Sequence, residues 1–179
     1  CGDNAELSER VGETQKVARQ LDAELDFMTW QMRPTVLDDL GVVAALDQYV
    51  RQWSAHFNIR AEFSANRFGV INLTPEVETH LYRIAQEALN NVCKHAKASS
   101  VNVLLEPRDG GAILIIEDDG VGFNPDKLIY KETKGKGLRG MYERAALVGG
   151  TLEIESAKGE GATIYAKVPA SAGERENKK

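Results

Sequence analysis

A helical stripe marks the first stretch of the chain. Leu21, Leu25, Met28 and Met32 recur at intervals of four, three and four, and charges and glutamines fill many of the other positions. This predicts a helix over about 4–33. Pro34 ends it, because the residue before a proline disfavours the α region. Such a helix, ahead of a separate core, needs a partner to cover its stripe, either from the same protein or from a second subunit. A second helix is predicted from about 41 to 57 on Val43, Leu46, Val50 and Trp53, with Asn58 as its stop. Alternation predicts a strand at 59–65 and a short strand near Val70–Leu73. Thr74-Pro75-Glu76 reads as N-cap, first helical position and acidic first turn of a helix running to about Ala96.

Strands at about 100–106 and 112–118 flank Asp109-Gly110-Gly111, which suits a hairpin turn. After a polar stretch at 119–137, a helix at about 138–148 stops at Gly149-Gly150. Strands at about 151–156 and 162–168 are joined through Lys158-Gly159-Glu160-Gly161, and a polar tail follows from Ala170. The order strand, helix, two strands, loop, helix, two strands is not regular βαβ alternation. It predicts an α+β fold, a two-layer α/β sandwich with a mixed sheet and helices on one face, preceded by a long N-terminal helix. The expected division is 1–34 for that helix, 35–169 for the sandwich and 170–179 for the tail.

Composition narrows the class. A hydrophobic share of 42% is enough for a packed core. The net charge of −5 gives no general attraction to nucleic acid or to an anionic membrane, so any bound polyanion must be held by local groups. Apolar runs such as Ala112–Ile116 are too short to span a bilayer, and no signal-peptide pattern is present, so a cytoplasmic location is expected. Cys1 and Cys93 form neither a disulfide framework nor a metal-ligand spacing.

Three places carry candidate chemistry. On the 75–96 helix, with Glu87 at zero and about 100° per residue, Asn91 falls near +40°, Lys94 near −20° and His95 near +80°. Leu81, Ile84, Ala85, Ala88, Leu89, Val92 and Ala96 fill the arc from about 60° to 200°. Glu87, Asn91 and Lys94 thus form a polar stripe beside the buried face. An amide oxygen is a hard ligand for Mg²⁺, an amine neutralises phosphate and a carboxylate can orient a water or accept a proton. Taken alone, the stripe also fits an ordinary solvated helix face. The second place is Asp118-Asp119-Gly120-Val121-Gly122-Phe123 at the end of an apolar strand. A strand-end carboxylate can accept a hydrogen bond from an exocyclic amine such as that of adenine, although Asp-Gly is also a common turn. The third is Gly135-Lys136-Gly137-Leu138-Arg139-Gly140, running into a helix. It matches G-x-G-x-x-G, but no strand directly precedes it, so the dinucleotide-binding reading fails. A glycine loop entering a helix N-terminus can still hold phosphate through backbone N–H groups, and Lys134, Lys136 and Arg139 add charge. A flexible loop with solvated lysines fits this loop equally well.

Order and spacing together are more specific than any one motif. Glu87-Ala88-Leu89-Asn90-Asn91-Val92-Cys93-Lys94-His95-Ala96 resembles the N-box of histidine-kinase ATPase domains. Asp118-x-Gly120-x-Gly122-Phe123 resembles their first glycine box, and Gly135-x-Gly137-Leu138-x-Gly140-Met141 the second. The resemblance covers about 20–169 and implies the Bergerat ATP-binding fold shared with gyrase, MutL and one class of chaperone. It implies ATP and Mg²⁺ as cofactors, with Asn91 as metal ligand. Glu87 would hold a metal-bound water or act as base, Lys94 would contact phosphates, and His95 would lie near ribose or phosphates. Asp118 would bind the adenine amine, with Gly120 and Gly122 lining the base pocket. Lys136, Gly137, Leu138 and Gly140 would form the phosphate end of the lid. A threonine near the last strand often closes the adenine pocket in this fold, and Thr163 is the candidate here, although Ala162 precedes it.

Arg33-Pro34 and Leu37-Asp38-Asp39-Leu40-Gly41 resemble the link to the dimerisation helices in the subfamily that pairs with LuxR-type response regulators. A homodimer through the N-terminal helix is therefore implied for the full protein. Members of that subfamily phosphorylate a histidine in a Leu-His-Asp-like motif. His56, His80 and His95 are the histidines here, and none sits in such a motif. The 4–33 helix therefore looks like the second dimerisation helix, with the phosphoacceptor helix outside this sequence. The competing readings are an anti-sigma serine kinase of the same fold, a motor-type ATPase such as gyrase or MutL, and an interaction module without kinase activity. The dimerisation-like helix argues against the first, the short stretch after the last strand against the second, and the intact Glu87, Asn91, Asp118 and glycines against the third.

Overall fold

The computed structural model describes residues 35–65, 71–108, 110–125 and 136–170. The helix predicted over 4–33, the tail beyond 170 and most of the polar stretch before the last helix lie outside these residues.

The elements follow in the expected order. They are α1 (Thr35–Phe57), β1 (Arg60–Ser64), α2 (Pro75–Asn91), a π-helical turn (Val92–Ala96), β2 (Ser100–Arg108), β3 (Gly111–Asp118), α3 (Lys136–Leu147), β4 (Thr151–Ser156) and β5 (Ala162–Pro169). One five-stranded sheet runs β1-β2-β3-β5-β4. Only β1 and β2 pair in parallel, through the α2 crossover, and the other neighbours are antiparallel. The predicted mixed-sheet sandwich is what forms.

Local chemistry explains the elements. Thr74 caps α2 by accepting from the Val77 N–H at 3.3 Å, with Pro75 in the first turn and Glu76 and Glu78 beside it. Leu81, Ile84, Ala85, Ala88 and Leu89 are buried along one side of α2, as the predicted arc requires. In α1 the buried positions are Leu37, Val42, Ala45, Leu46, Tyr49, Val50 and Trp53, again a helical stripe after the break at Gly41. In α3, Leu138, Met141 and Ala145 point inward. The sheet alternates: Ala162, Ile164, Ala166 and Val168 of β5 are buried, and the intervening residues are more exposed. On that outer face the Tyr165 hydroxyl donates to Glu155 at 3.1 Å, and Lys167 pairs with Glu153 at 3.6 Å.

Four boundaries differ from expectation. The first helix starts at Thr35 rather than 41. Gly41, taken as the start, is instead a break with φ 78° and ψ 175° between two helical pieces. Residues 71–73 form no strand, and Val70 lies outside the described residues. β2 continues past Pro107 to Arg108, because β1 covers only Ser100–Leu104 and the proline stands where β2 lacks a second neighbour. The long helix changes at Val92 into a π-helical turn, which Lys97 closes at φ 52°.

Leu114 sits at the middle of β3 with no exposed surface, between β2 and β5. Leu114→Ala is expected to lower stability by about 2–5 kcal/mol, read as a shift in denaturant midpoint at unchanged slope.

Candidate functional site

The sequence places Glu87, Asn91, Lys94 and His95 on one helix, and the fold treats them in two pairs. Glu87 and Asn91 lie on the regular part of α2, both half-buried. Gly137 of α3 is packed against them. A Cβ on Gly137 would collide with the Glu87 carboxylate and would lie 3.5 Å from Asn91 Oδ1. The second glycine motif is therefore brought onto the polar stripe of the first, across the sequence separation between them. Lys94 and His95 fall on the π-helical turn and are exposed. There the i→i+5 bonding widens the turn, so the angles expected at 100° per residue no longer hold for these two.

Asn91 carries an observation of its own. Its side-chain nitrogen is buried and has no hydrogen-bond partner. A buried polar atom without a partner is costly, and the two ends of an amide exchange by a simple flip. The donor set also suits a metal held mainly by its ligand's oxygens. Among the described residues no three His, Cys, Asp or Glu side chains converge as a metal cage. A single amide oxygen completing a shell of phosphate and water oxygens is what Mg²⁺ accepts.

A cleft of about 570 Å³ between α2 and α3 is lined by His80, Glu87, Gly137, Gly140 and Arg144, so Glu87 faces open space. Tyr49 of α1 lies beneath this edge. Burial pushes its hydroxyl above the usual tyrosine range, with Tyr82 and then Glu87 adding to the shift. Tyr49 is not among the positions that the sequence pattern singles out.

The first glycine motif begins at the β3 terminus. Asp118 is half-buried and accepts from the Gly120 N–H at 2.9 Å. Burial raises its pKa above the ordinary carboxylate value, against the Gly120 hydrogen bond, while Asp119 adds to the rise and the Ala162 N–H opposes it. A carboxylate in this position favours a further donor. Gly120 lies against the Ala96 carbonyl at the end of the π turn, and the Val121 N–H donates to that same carbonyl at 2.7 Å. Gly122 has φ 58° and lies against the Ala157 and Gly161 carbonyls, where a side chain has no room.

Two predicted residues take other places. Thr163 is not brought to Asp118. The β3–β5 register sets Asp118 opposite Ala162 and Thr163 opposite Glu117, and alternation turns Thr163 to the outer face. Leu138 is buried among core side chains and anchors the first turn of α3 instead of lining open space. Gly140 is close to Arg144, and the side chain of Lys136 lies outside the described residues.

Asp119 was read only as part of a turn. It accepts from the Ser99 N–H at 2.7 Å, the Ser100 N–H at 2.9 Å and the Ser100 hydroxyl at 3.0 Å, tying the end of β3 to the start of β2. The second acid of an Asp-Asp pair facing two serines was the available signal.

Known proteins place these features in a family. Residues 76–172 match the family of histidine kinase-, DNA gyrase B- and HSP90-like ATPases. The chain is 35% identical over 171 residues to the oxygen sensor histidine kinase NreB of Staphylococcus carnosus, covering 93% of this chain and 47% of that protein. It is 40% identical over 149 residues to the sensor histidine kinase MctS of Rhizobium johnstonii, covering 83% of this chain and 32% of that one. The chain thus spans half or less of these relatives. The histidine kinase domain of the blue-light activated kinase EL346 from Erythrobacter litoralis superposes with a TM-score of 0.59 at 20% identity, over 73% of this chain and 61% of that one. The ATP-binding domain of PrrB from Mycobacterium tuberculosis gives 0.56 at 19% identity, over 72% and 93%. These likenesses establish a shared fold. The chain belongs to the histidine kinase-type ATPase family, and its sandwich is an ATP-binding domain of that family.

The Asp119 hydrogen bonds hold its pKa below the usual value, the Ser100 N–H being the main cause. The ionised form therefore stabilises the fold above the unfolded pKa of about 3.9, and that contribution disappears as pH falls through the lower folded value. Urea melts of the wild type and Asp119→Asn are expected to differ by a constant amount near neutral pH. The gap should narrow only below about pH 4.

Proposed function

We propose that this chain is the ATP-binding catalytic part of a two-component sensor histidine kinase. It would transfer the γ-phosphoryl group of Mg–ATP to a histidine that lies outside this sequence. The observation that carries the reading is the meeting of Glu87, Asn91 and the Gly137 backbone, with the half-buried Asp118 taken as the adenine end. The names of NreB and MctS as sensor histidine kinases support it.

In this reading Asp118 accepts a hydrogen bond from the adenine amine, and Gly120 and Gly122 let the backbone approach the base. Asn91 would hold Mg²⁺, which would supply charge neutralisation at the phosphates. Lys94 and His95, exposed on the π turn, reach the phosphates or ribose. The first turn of α3, with Lys136, Gly137 and Gly140, supplies backbone N–H groups to the phosphates, and buried Leu138 fixes that turn. As the P–O bond to the departing ADP breaks and a P–N bond forms, the proton lost by the acceptor imidazole passes to Glu87. Glu87 suits this role because it faces the open cleft. Most of the rate enhancement comes from positioning and charge neutralisation.

The segment 1–34 is assigned as the second dimerisation helix of a homodimer, on the stripe Leu21, Leu25, Met28 and Met32. The partner is a response regulator, of LuxR type on the strength of the Arg33-Pro34 link. A cytoplasmic kinase unit fits a chain in which no described helix is long and apolar enough to cross a membrane.

Labelled Mg–ATP offered to the chain with a histidine-bearing dimerisation hairpin should yield acid-labile phosphate on the hairpin. Transfer instead to a serine-bearing anti-anti-sigma partner would replace the histidine-kinase reading with the serine-kinase one. By calorimetry, Asn91→Ala is expected to reduce ATP affinity in Mg²⁺ to its value in EDTA, with the fold intact, and an unchanged Mg²⁺ effect would remove the metal assignment. Asp118→Ala should weaken ATP roughly ten- to a hundredfold, the range for a hydrogen bond to a charged group, and leave inorganic tripolyphosphate nearly untouched.

A further inference from the structure

Ser156 ends β4, far in sequence from the three motifs. Its hydroxyl uses both its proton and a lone pair. It donates to the Gly161 carbonyl at 2.7 Å and accepts from the Phe123 N–H at 2.8 Å. Phe123 is the last residue of the first glycine motif, and Gly161 is the last residue of the β4–β5 turn. One half-buried hydroxyl therefore ties that motif to the turn beside it.

The Gly161 carbonyl belongs to the same peptide group as the Ala162 N–H. In a strand the two ends of a peptide group point to opposite neighbours. Here the carbonyl turns toward β4 and Ser156, and the N–H toward β3, where Ala162 stands opposite Asp118. The strand pairing sets the Ala162 N–H beside Asp118, where it opposes the rise of the carboxyl pKa less than the Gly120 N–H does. A hydrogen bond at one end of a peptide group polarises the other end. The surrounding backbone leaves little slack. Gly161 lies against the Asp118 carbonyl, Gly122 against the Gly161 and Ala157 carbonyls, and the Gly159 N–H donates to the Val121 carbonyl at 2.7 Å. A tilt of the 161–162 peptide is therefore felt at Asp118 and at the glycine motif together.

We propose that Ser156 is a positioning residue for base recognition: it orients the Gly161–Ala162 peptide against Asp118 and holds the Phe123 end of the glycine motif. This rests on the reading of Asp118 as the acceptor for the adenine amine. Ser156 touches neither nucleotide nor metal. Its effect is on the adenine half of the ligand and passes through Asp118.

The test measures calorimetric affinities for Mg–ATP and for Mg–tripolyphosphate in wild type, Ser156→Ala, Ser156→Thr, Asp118→Ala and the double variant Ser156→Ala/Asp118→Ala. Loss of the two hydrogen bonds in Ser156→Ala is expected to weaken ATP by about five- to tenfold and tripolyphosphate by less than about twofold. Ser156→Thr, which keeps the hydroxyl, should recover the affinity, and Ser156→Ala should add no further loss in the Asp118→Ala background. If Ser156→Ala fails to fold, Ser156→Cys gives the same comparison with similar volume and weaker hydrogen bonds. Equal losses for both ligands, unchanged ATP affinity, or a full additional loss in the double variant would overturn the proposal. Adenine-selective loss in Asp118→Ala without any in Ser156→Ala sinks the Ser156 role alone. No selective loss in Asp118→Ala sinks the adenine reading and the Ser156 role with it.

Discussion

The rotation of α2 about its own axis governs the site. Leu81, Ile84, Ala85, Ala88 and Leu89 are all buried on one side of that helix. Burying a large apolar side chain is worth about 1.5–3 kcal/mol, whereas a surface pair on a helix is worth a few tenths. The apolar side therefore decides how the helix lies, and Glu87 and Asn91 follow. They come to rest at the rim of the buried face, where α3 meets α2. Gly137 then fits against them because it has no side chain. Leu138, one residue on, holds that contact by entering the core. A close-approach residue and a packing residue are neighbours in sequence with opposite duties.

The Asp118 end depends on a different constraint, the mutual approach of three backbones. The loop after β3, the end of the π turn and the β4–β5 turn meet at Gly120, Gly122 and Gly161. Asp119 fastens this junction to β2 and Ser156 fastens it to β4. The hydrogen bonds are individually modest, but they converge on the short segment that aims Asp118. Preorganisation of this kind lowers the cost of ordering the loop when a ligand binds. It also leaves the Asp118 carboxylate half-buried, which is why its pKa rises and why a further hydrogen-bond donor would be favoured there.

These two constraints explain what the sequence made legible. Periodicity revealed α2, α3 and every strand of the sheet, because burial on one face is written directly into the spacing of apolar residues. The Thr74-Pro75 start could be read because capping is local. The boundary at Gly41 was misplaced because a glycine starts, stops or breaks a helix by its φ angle, which the letter alone does not specify. The π turn was invisible for a related reason. A one-residue widening at Val92–Ala96 leaves the composition unchanged, yet it moves Lys94 and His95 off the predicted wheel.

The site was legible where chemistry sits inside one motif and illegible where it is assembled across strands. Thr163 looked right for the adenine pocket by residue type. A strand reverses side-chain direction at every residue, so a shift of one position turned it away. Ser156 gave no such signal and Asp119 only the faint one of a second acid, because a serine at a strand end and an acid beside a glycine are ordinary turn residues. Their partners lie 33 residues away for the Ser156–Phe123 bond and 20 and 19 for the Asp119 bonds to Ser99 and Ser100. The Asp119 partners become adjacent when β2 pairs with β3, and the Ser156 partner when the sheet order places β5 between β3 and β4. That order brings the Gly161–Ala162 peptide between Ser156 and Asp118. The surroundings of Asp118 are thus a property of strand topology, and the meeting of Glu87, Asn91 and Gly137 is a property of one helix face.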